Sequence, residues 1–167
     1  ARYKHLLFYV LFFLGFMVIS IGLFDLLYYL LATRPLFVEA LESGSPGALR
    51  LFYLSLSIPV LLAMVLYFRF LMGFFMRHFE RQADLFAART MGRPDPVIRS
   101  LERIALAGGK IRDLPSWHHF SIRERVECLE RSASEPGLLR RQNRFVGVSF
   151  AIYLSAIVGF GWLLNFS

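Results

Sequence analysis

Cysteine is almost absent from this sequence: Cys128 stands alone, which excludes an intrachain disulfide. It lies in the most charged region, and that fits a reducing compartment. Charge is almost absent from three long stretches. Leu6–Leu31, Leu51–Met76 and Phe145–Phe166 contain only Asp25 and Arg69 between them. Strand-like alternation, internal repeats and low-complexity tracts are missing as well. The arginines are interspersed with acids and show no interleaving with aromatics, so the composition gives no nucleic-acid-binding pattern.

What is present is apolar. The chain of 167 residues is 56% hydrophobic and 16% aromatic, where a soluble domain stands at about 45–50% apolar. The excess sits in the three uncharged blocks. A helix of about 20 apolar residues spans a hydrocarbon core of about 30 Å, and all three blocks reach that length. The first is too long for a signal-peptide core and ends in Leu-Leu-Tyr-Tyr-Leu-Leu rather than a small-residue cleavage site. The fold class predicted is therefore all-α: an integral-membrane protein with three transmembrane helices and a helical domain between the second and third. Residue 1 is Ala, which predicts a fragment or a processed product.

Details of the blocks refine this. Asp25 follows 19 apolar residues from Leu6, so the interfacial position is favoured over an acid at the bilayer centre. Pro59 is expected to kink the second span. Arg69 follows 18 residues from Leu51 and can extend its head to the near interface. Lys and Arg placement sets the orientation. Arg77–Arg144 holds thirteen Arg and one Lys against nine acids, and Arg2 and Lys4 precede the first block. This predicts a short leading segment at 1–5, spans at 6–31, 51–76 and 144–167, an outer loop at 32–50 and a cytoplasmic helical part at 77–143.

That part reads as three helices. Phe79, Ala83, Phe86 and Ala87 form an apolar stripe in a helix ending at Gly92. Asp95 is expected to cap a second helix with Val97, Ile98, Leu101, Ile104 and Ala105 inward. Ser121-Ile-Arg-Glu124 fits a capping box opening a third, with Ile122, Val126 and Leu129 inward.

Glu80 and Asp84, four residues apart, share one helix face. Two readings are open: a solvated pair neutralised by Arg77 and Arg81, or a metal ligand at Glu80 with Asp84 orienting its neighbour. His118 and His119 follow Trp117 at the entrance of the capped helix. They are either structural or, at His119, placed to hydrogen-bond an oxyanion with Arg125 one turn further on.

The string RHFERQADLFA resembles the E-x-x-x-D helix of the membrane gluzincin peptidases, the family of HtpX-type heat-shock proteases and CAAX prenyl proteases. HFSIRERVECL resembles that family's H-P-x-x-x-x-R segment, with Phe120 where Pro is usual. The opening residues, with His5, look like the stretch just after the family's second zinc histidine. The resemblance covers roughly residues 1–10 and 77–132. It implies Zn2+ as cofactor, Glu80 as third zinc ligand and Asp84 supporting the ligands. It places His119 and Arg125 near the substrate carbonyl, and makes a protein or peptide the substrate. The HExxH pair and its general base are absent, so this chain alone is expected to be inactive. Two spans would return Glu80 to the side of the missing histidines. The short outer loop suggests a bacterial inner membrane. The rival expectations are a non-catalytic membrane scaffold that binds partners, and a polybasic patch recognising anionic lipid.

Overall fold

The computed structural model describes residues 5–109 and 111–166, and every element among them is a helix. In order these are α1 (His5–Ala32), α2 (Pro35–Ser43), α3 (Pro46–Leu66), a π-helical stretch (Tyr67–Met72) and α4 (Gly73–Thr90). Then come α5 (Asp95–Ala107), a 3-10 turn (Ile111–Asp113), α6 (Ile122–Ser134) and α7 (Leu138–Phe166). Expectations for Ala1, Arg2, Tyr3, Lys4 and Lys110, and for the side chain of His5, fall outside the described residues.

Three helical stretches, Leu7–Ala32, Pro46–Thr90 and Leu138–Leu164, are long and apolar enough to cross a membrane. The three apolar blocks overlap these stretches, with different edges. The second begins at Pro46 because proline at the first helical position presets φ for the helix. The third begins at Leu138, ahead of its apolar block, because Arg and Gln continue a helix as readily as Leu does. Hydropathy measures where apolar residues stop, which is not where a helix stops. The 32–50 connection, read as a loop, holds α2.

The chain divides into two compact units, Ala1–Phe68 with Tyr153–Ser167, and Arg69–Ile152. In the first, α1 packs on α3, and α2 packs on both. Phe8, Phe12, Phe52, Leu56, Tyr67 and Tyr153 are buried there. The Tyr67 hydroxyl donates to the Phe12 carbonyl at 2.8 Å. The Tyr67 and Tyr153 phenol oxygens lie 2.7 Å apart and share a hydrogen bond. In an apolar setting a hydroxyl needs such partners. Phe13, Leu14 and Ile21 on α1 and Tyr53, Ile58 and Leu61 on α3 face outward, an apolar surface compatible with lipid contact. Gly15 allows close approach: a Cβ there would collide with the Tyr153 ring and hydroxyl. Small residues at such crossings let helices meet at backbone distance.

In the second unit, α4, α5 and α6 pack on one another. Ala88, Leu101, Ala105, Ile122, Val126 and Leu129 form its core, with Val97 and Ile98 against them. A smaller cluster joins Leu85, Cys128 and Leu139. The capping box is present: the Glu124 N–H donates to Ser121 Oγ at 3.2 Å, and the Ser121 N–H to Glu124 Oε2 at 2.9 Å.

Three expectations need correcting. The buried face of α4 carries Phe75, Gln82, Asp84, Leu85 and Ala88, whereas Ala83 is exposed. The reason is polar: Gln82 Nε2 donates to Asn143 Oδ1 at 2.9 Å and Asp84 takes an arginine. A stripe drawn through apolar residues alone therefore misplaces the arc. On α5, Ile104 is 54% exposed, and Leu101 and Ala105 are its buried residues. Asp95 is the first residue of α5 rather than its cap, and Pro94 occupies the cap position without a capping hydrogen bond.

Gly15→Val is expected to lower stability by about 1–3 kcal/mol through overpacking against Tyr153, read as loss of thermal midpoint in detergent micelles. Ser121→Ala should cost about 1 kcal/mol through loss of the cap, with the helix content of the folded protein unchanged by circular dichroism.

Candidate functional site

Four side chains selected in the sequence converge within the second unit. Helix α4 supplies Glu80 and Asp84 one turn apart, α6 supplies Arg125 in its first turn, and the loop before the Ser121 cap supplies His119. Arg125 is the hub. Its Nε donates to Asp84 Oδ2 and its Nη2 to Asp84 Oδ1, both at 2.8 Å, a two-pronged match of planar fork to carboxylate. Its Nη1 donates to Glu80 Oε1 at 2.6 Å. His119 Nδ1 lies 3.0 Å from the same Oε1. A carboxylate only accepts, so Nδ1 is the protonated nitrogen in this arrangement. The Phe120 backbone N–H donates to Glu80 Oε2 at 3.3 Å.

The network is mostly shielded. Side-chain exposure is 15% for Glu80, 12% for Asp84 and 18% for Arg125, but 49% for His119. Two carboxylates face one guanidinium. Burial by itself would lower the Arg125 pKa. The hydrogen bond and charge of Asp84, with those of Glu80, outweigh it and raise the net value, so Arg125 stays charged. Burial pushes the thiol of nearby Cys128 up, which keeps it protonated and poorly nucleophilic.

The two open readings of the carboxylate pair now separate on geometry. Arg77 and Arg81 do not neutralise it. Arg77 Nη1 donates to the Trp117 carbonyl at 2.5 Å, and the Arg81 guanidinium stacks 4.1 Å from the centre of the Phe120 ring. The neutralising group is Arg125, more than forty positions away in sequence. His118 stays apart from the carboxylates. Its ring lies 4.0 Å from that of His119, and its Nδ1 is 3.4 Å from Ser116 Oγ.

Three contributors were not singled out from sequence. Phe120 replaces the proline of the resembling motif, and it supplies both an N–H to Glu80 and a ring beneath Arg81. Gly73 admits the loop, since a Cβ there would stand 2.5 Å from the Trp117 carbonyl oxygen. A glycine inside an otherwise apolar helix was the available signal for that approach. Gln142 donates to His78 Nδ1 at 3.1 Å, a pairing across 64 positions that no local pattern carries.

A metal centre needs at least three donors, and among the described residues no group of three His, Cys, Asp or Glu side chains stands together. Glu80 Oε1 is occupied by Arg125 and His119, while Oε2 has only the longer bond from Phe120. The residues present thus fit one ligand of a zinc site and not a complete site. No family model, curated protein or solved structure matches the chain.

Arg125→Ala leaves two shielded carboxylates facing each other, and stability should fall by about 3–5 kcal/mol. Adding Glu80→Gln to that variant is expected to restore part of the loss. Chemical denaturation in micelles reads both, and no recovery in the double variant would mean that charge is not the cause.

Proposed function

We propose that this chain is the portion of an integral-membrane, zinc-dependent endopeptidase that carries the third zinc ligand and the substrate-carbonyl donors. The observation that carries the reading is the convergence of Glu80, Asp84, His119 and Arg125 into one hydrogen-bonded cluster. They come from two helices and a loop, and the same four residues are those that the sequence resemblance singles out. In this reading Glu80 offers Oε2 to the metal, and Asp84 fixes the plane and charge of Arg125. Arg125 and the His119 ring face the developing oxyanion of a scissile peptide. Zinc, when bound, would polarise that carbonyl and bring the pKa of its water toward about 7. The reading requires further metal donors and a general base in addition to these four residues. The excess of Lys and Arg in 77–143 supports a cytoplasmic location for that segment, and a bacterial inner membrane is the proposed location. Protein or peptide is the substrate class.

One observation favours a second reading, a non-catalytic membrane scaffold. Glu80 is already engaged by three donors, and no ligand trio stands among the described residues. The two readings part on one experiment. The protein at its full natural length, purified from membranes, should contain about one zinc per chain and hydrolyse casein. Glu80→Gln should lose most of both while remaining folded. Unchanged zinc in that variant refutes the ligand assignment, and zinc-free, inactive wild-type protein leaves the scaffold.

A further inference from the structure

Arg69 is the charged residue that interrupts the second apolar block. It is exposed, and it makes no hydrogen bond or ion pair with any described residue. A guanidinium at the end of an apolar run can reach the headgroup level, where anionic groups are its natural counter-charge. The structure supplies a shaped place for one. Arg69 and Arg77 line one open groove together with Phe70, Pro115, Ser116 and Trp117, with a cavity volume of about 330 Å³. No acid lines it.

The groove is built from both sides. Arg69, Gly73 and Arg77 recur at intervals of four along one continuous helical stretch, so they fall near one face. The missing side chain of Gly73 lets the Trp117 carbonyl come down between the two arginines, where one N–H of Arg77 holds it. The loop opposite is braced by its own turn. Ser116 Oγ accepts from the His119 N–H at 2.9 Å, and the Ser116 N–H donates to the His119 carbonyl at 3.2 Å. Arg77 spends only part of its fork on Trp117, and Arg69 spends none. Two guanidiniums with open N–H donors, and no carboxylate to satisfy them, make a phosphate-type site.

The surroundings identify the source of the phosphate. Phe70 is 64% exposed and Trp117 40% exposed at the mouth. Aromatic side chains at the end of a span favour the headgroup level of a bilayer, and lipid phosphates are concentrated there. A cytosolic phosphate would have no use for the two exposed rings. We propose that this groove binds the phosphodiester of an anionic phospholipid, with Arg69 and Arg77 as its cations and Phe70 and Trp117 against the upper part of the lipid. The inference rests on the membrane span and is independent of any peptidase activity.

The test uses the whole chain, delipidated in a neutral detergent. It is titrated with short-chain phosphatidylglycerol, with phosphatidylcholine of equal chain length, and with inorganic phosphate, and the rise in thermal midpoint is read. Phosphatidylglycerol should stabilise the wild type at the lowest concentration. Arg69→Gln should raise the half-saturating concentration at least about fivefold, as expected for one interfacial cation. Arg103→Gln, on exposed α5 surface, should leave it unchanged. Arg77→Lys keeps one donor for the Trp117 carbonyl and serves if the first variant does not fold; it too should bind more weakly. Equal phosphatidylglycerol affinity in wild type and in whichever of these two variants folds overturns the proposal. So does equal stabilisation by phosphatidylcholine, and so does inorganic phosphate matching phosphatidylglycerol.

Discussion

The Arg125 guanidinium, held by both oxygens of Asp84 and by one of Glu80, is the contact on which the arrangement of the second unit depends. Carboxylates four residues apart on one helix repel, and neither can be buried alone. A single planar cation with five donors solves both problems, because its fork engages one acid squarely and still reaches the other. Lysine could not replace it, since an ammonium is a point charge without that geometry. The pairing turns an otherwise polar face of α4 toward α6 and sets which residues of α4 are buried. The apolar cluster around Leu129 packs in the same register as the ion pair.

The same contact organises the loop before α6. Arg125 stands one turn after the Ser121 cap, so fixing the arginine fixes the helix start, and the chain entering that start must pass Glu80. There it donates the Phe120 N–H and the His119 ring to one carboxylate. Phe120 beneath Arg81 and the Trp117 carbonyl beneath Arg77 complete the seating. The two arginines expected to neutralise the acids serve instead to hold the loop that delivers the histidine. The result is an exposed imidazole on a shielded acid–guanidinium base.

Legibility in the sequence varied with the range of the interaction. The three apolar helices were readable because hydrocarbon thickness sets a length that composition alone satisfies. The capping box at Ser121 and Glu124 was readable because it closes within three residues. The candidate site was readable only as residues and not as an assembly. Glu80 and Asp84 showed a shared face, but neither open reading paired them with Arg125, which comes from α6. The buried arc of α4 was misplaced for the same reason, and Ile104 was counted inward because an apolar residue at helical spacing looks buried whether or not a neighbour covers it.

By itself, then, the sequence determined what local chemistry enforces: helices throughout, three stretches long enough for a bilayer, glycine and proline at their ends, and one disulfide-free chain. Periodicity and transfer energy act over a few residues and need no partner. Only the tertiary structure decided which charges meet. Arg125 choosing Asp84 and Glu80, Arg81 choosing the Phe120 ring, and Arg69 left with Arg77 over an open groove depend on positions that approach only when the helices pack. Ion pairing is non-directional in sequence and strict in space, and for that reason no spacing rule could have assigned it.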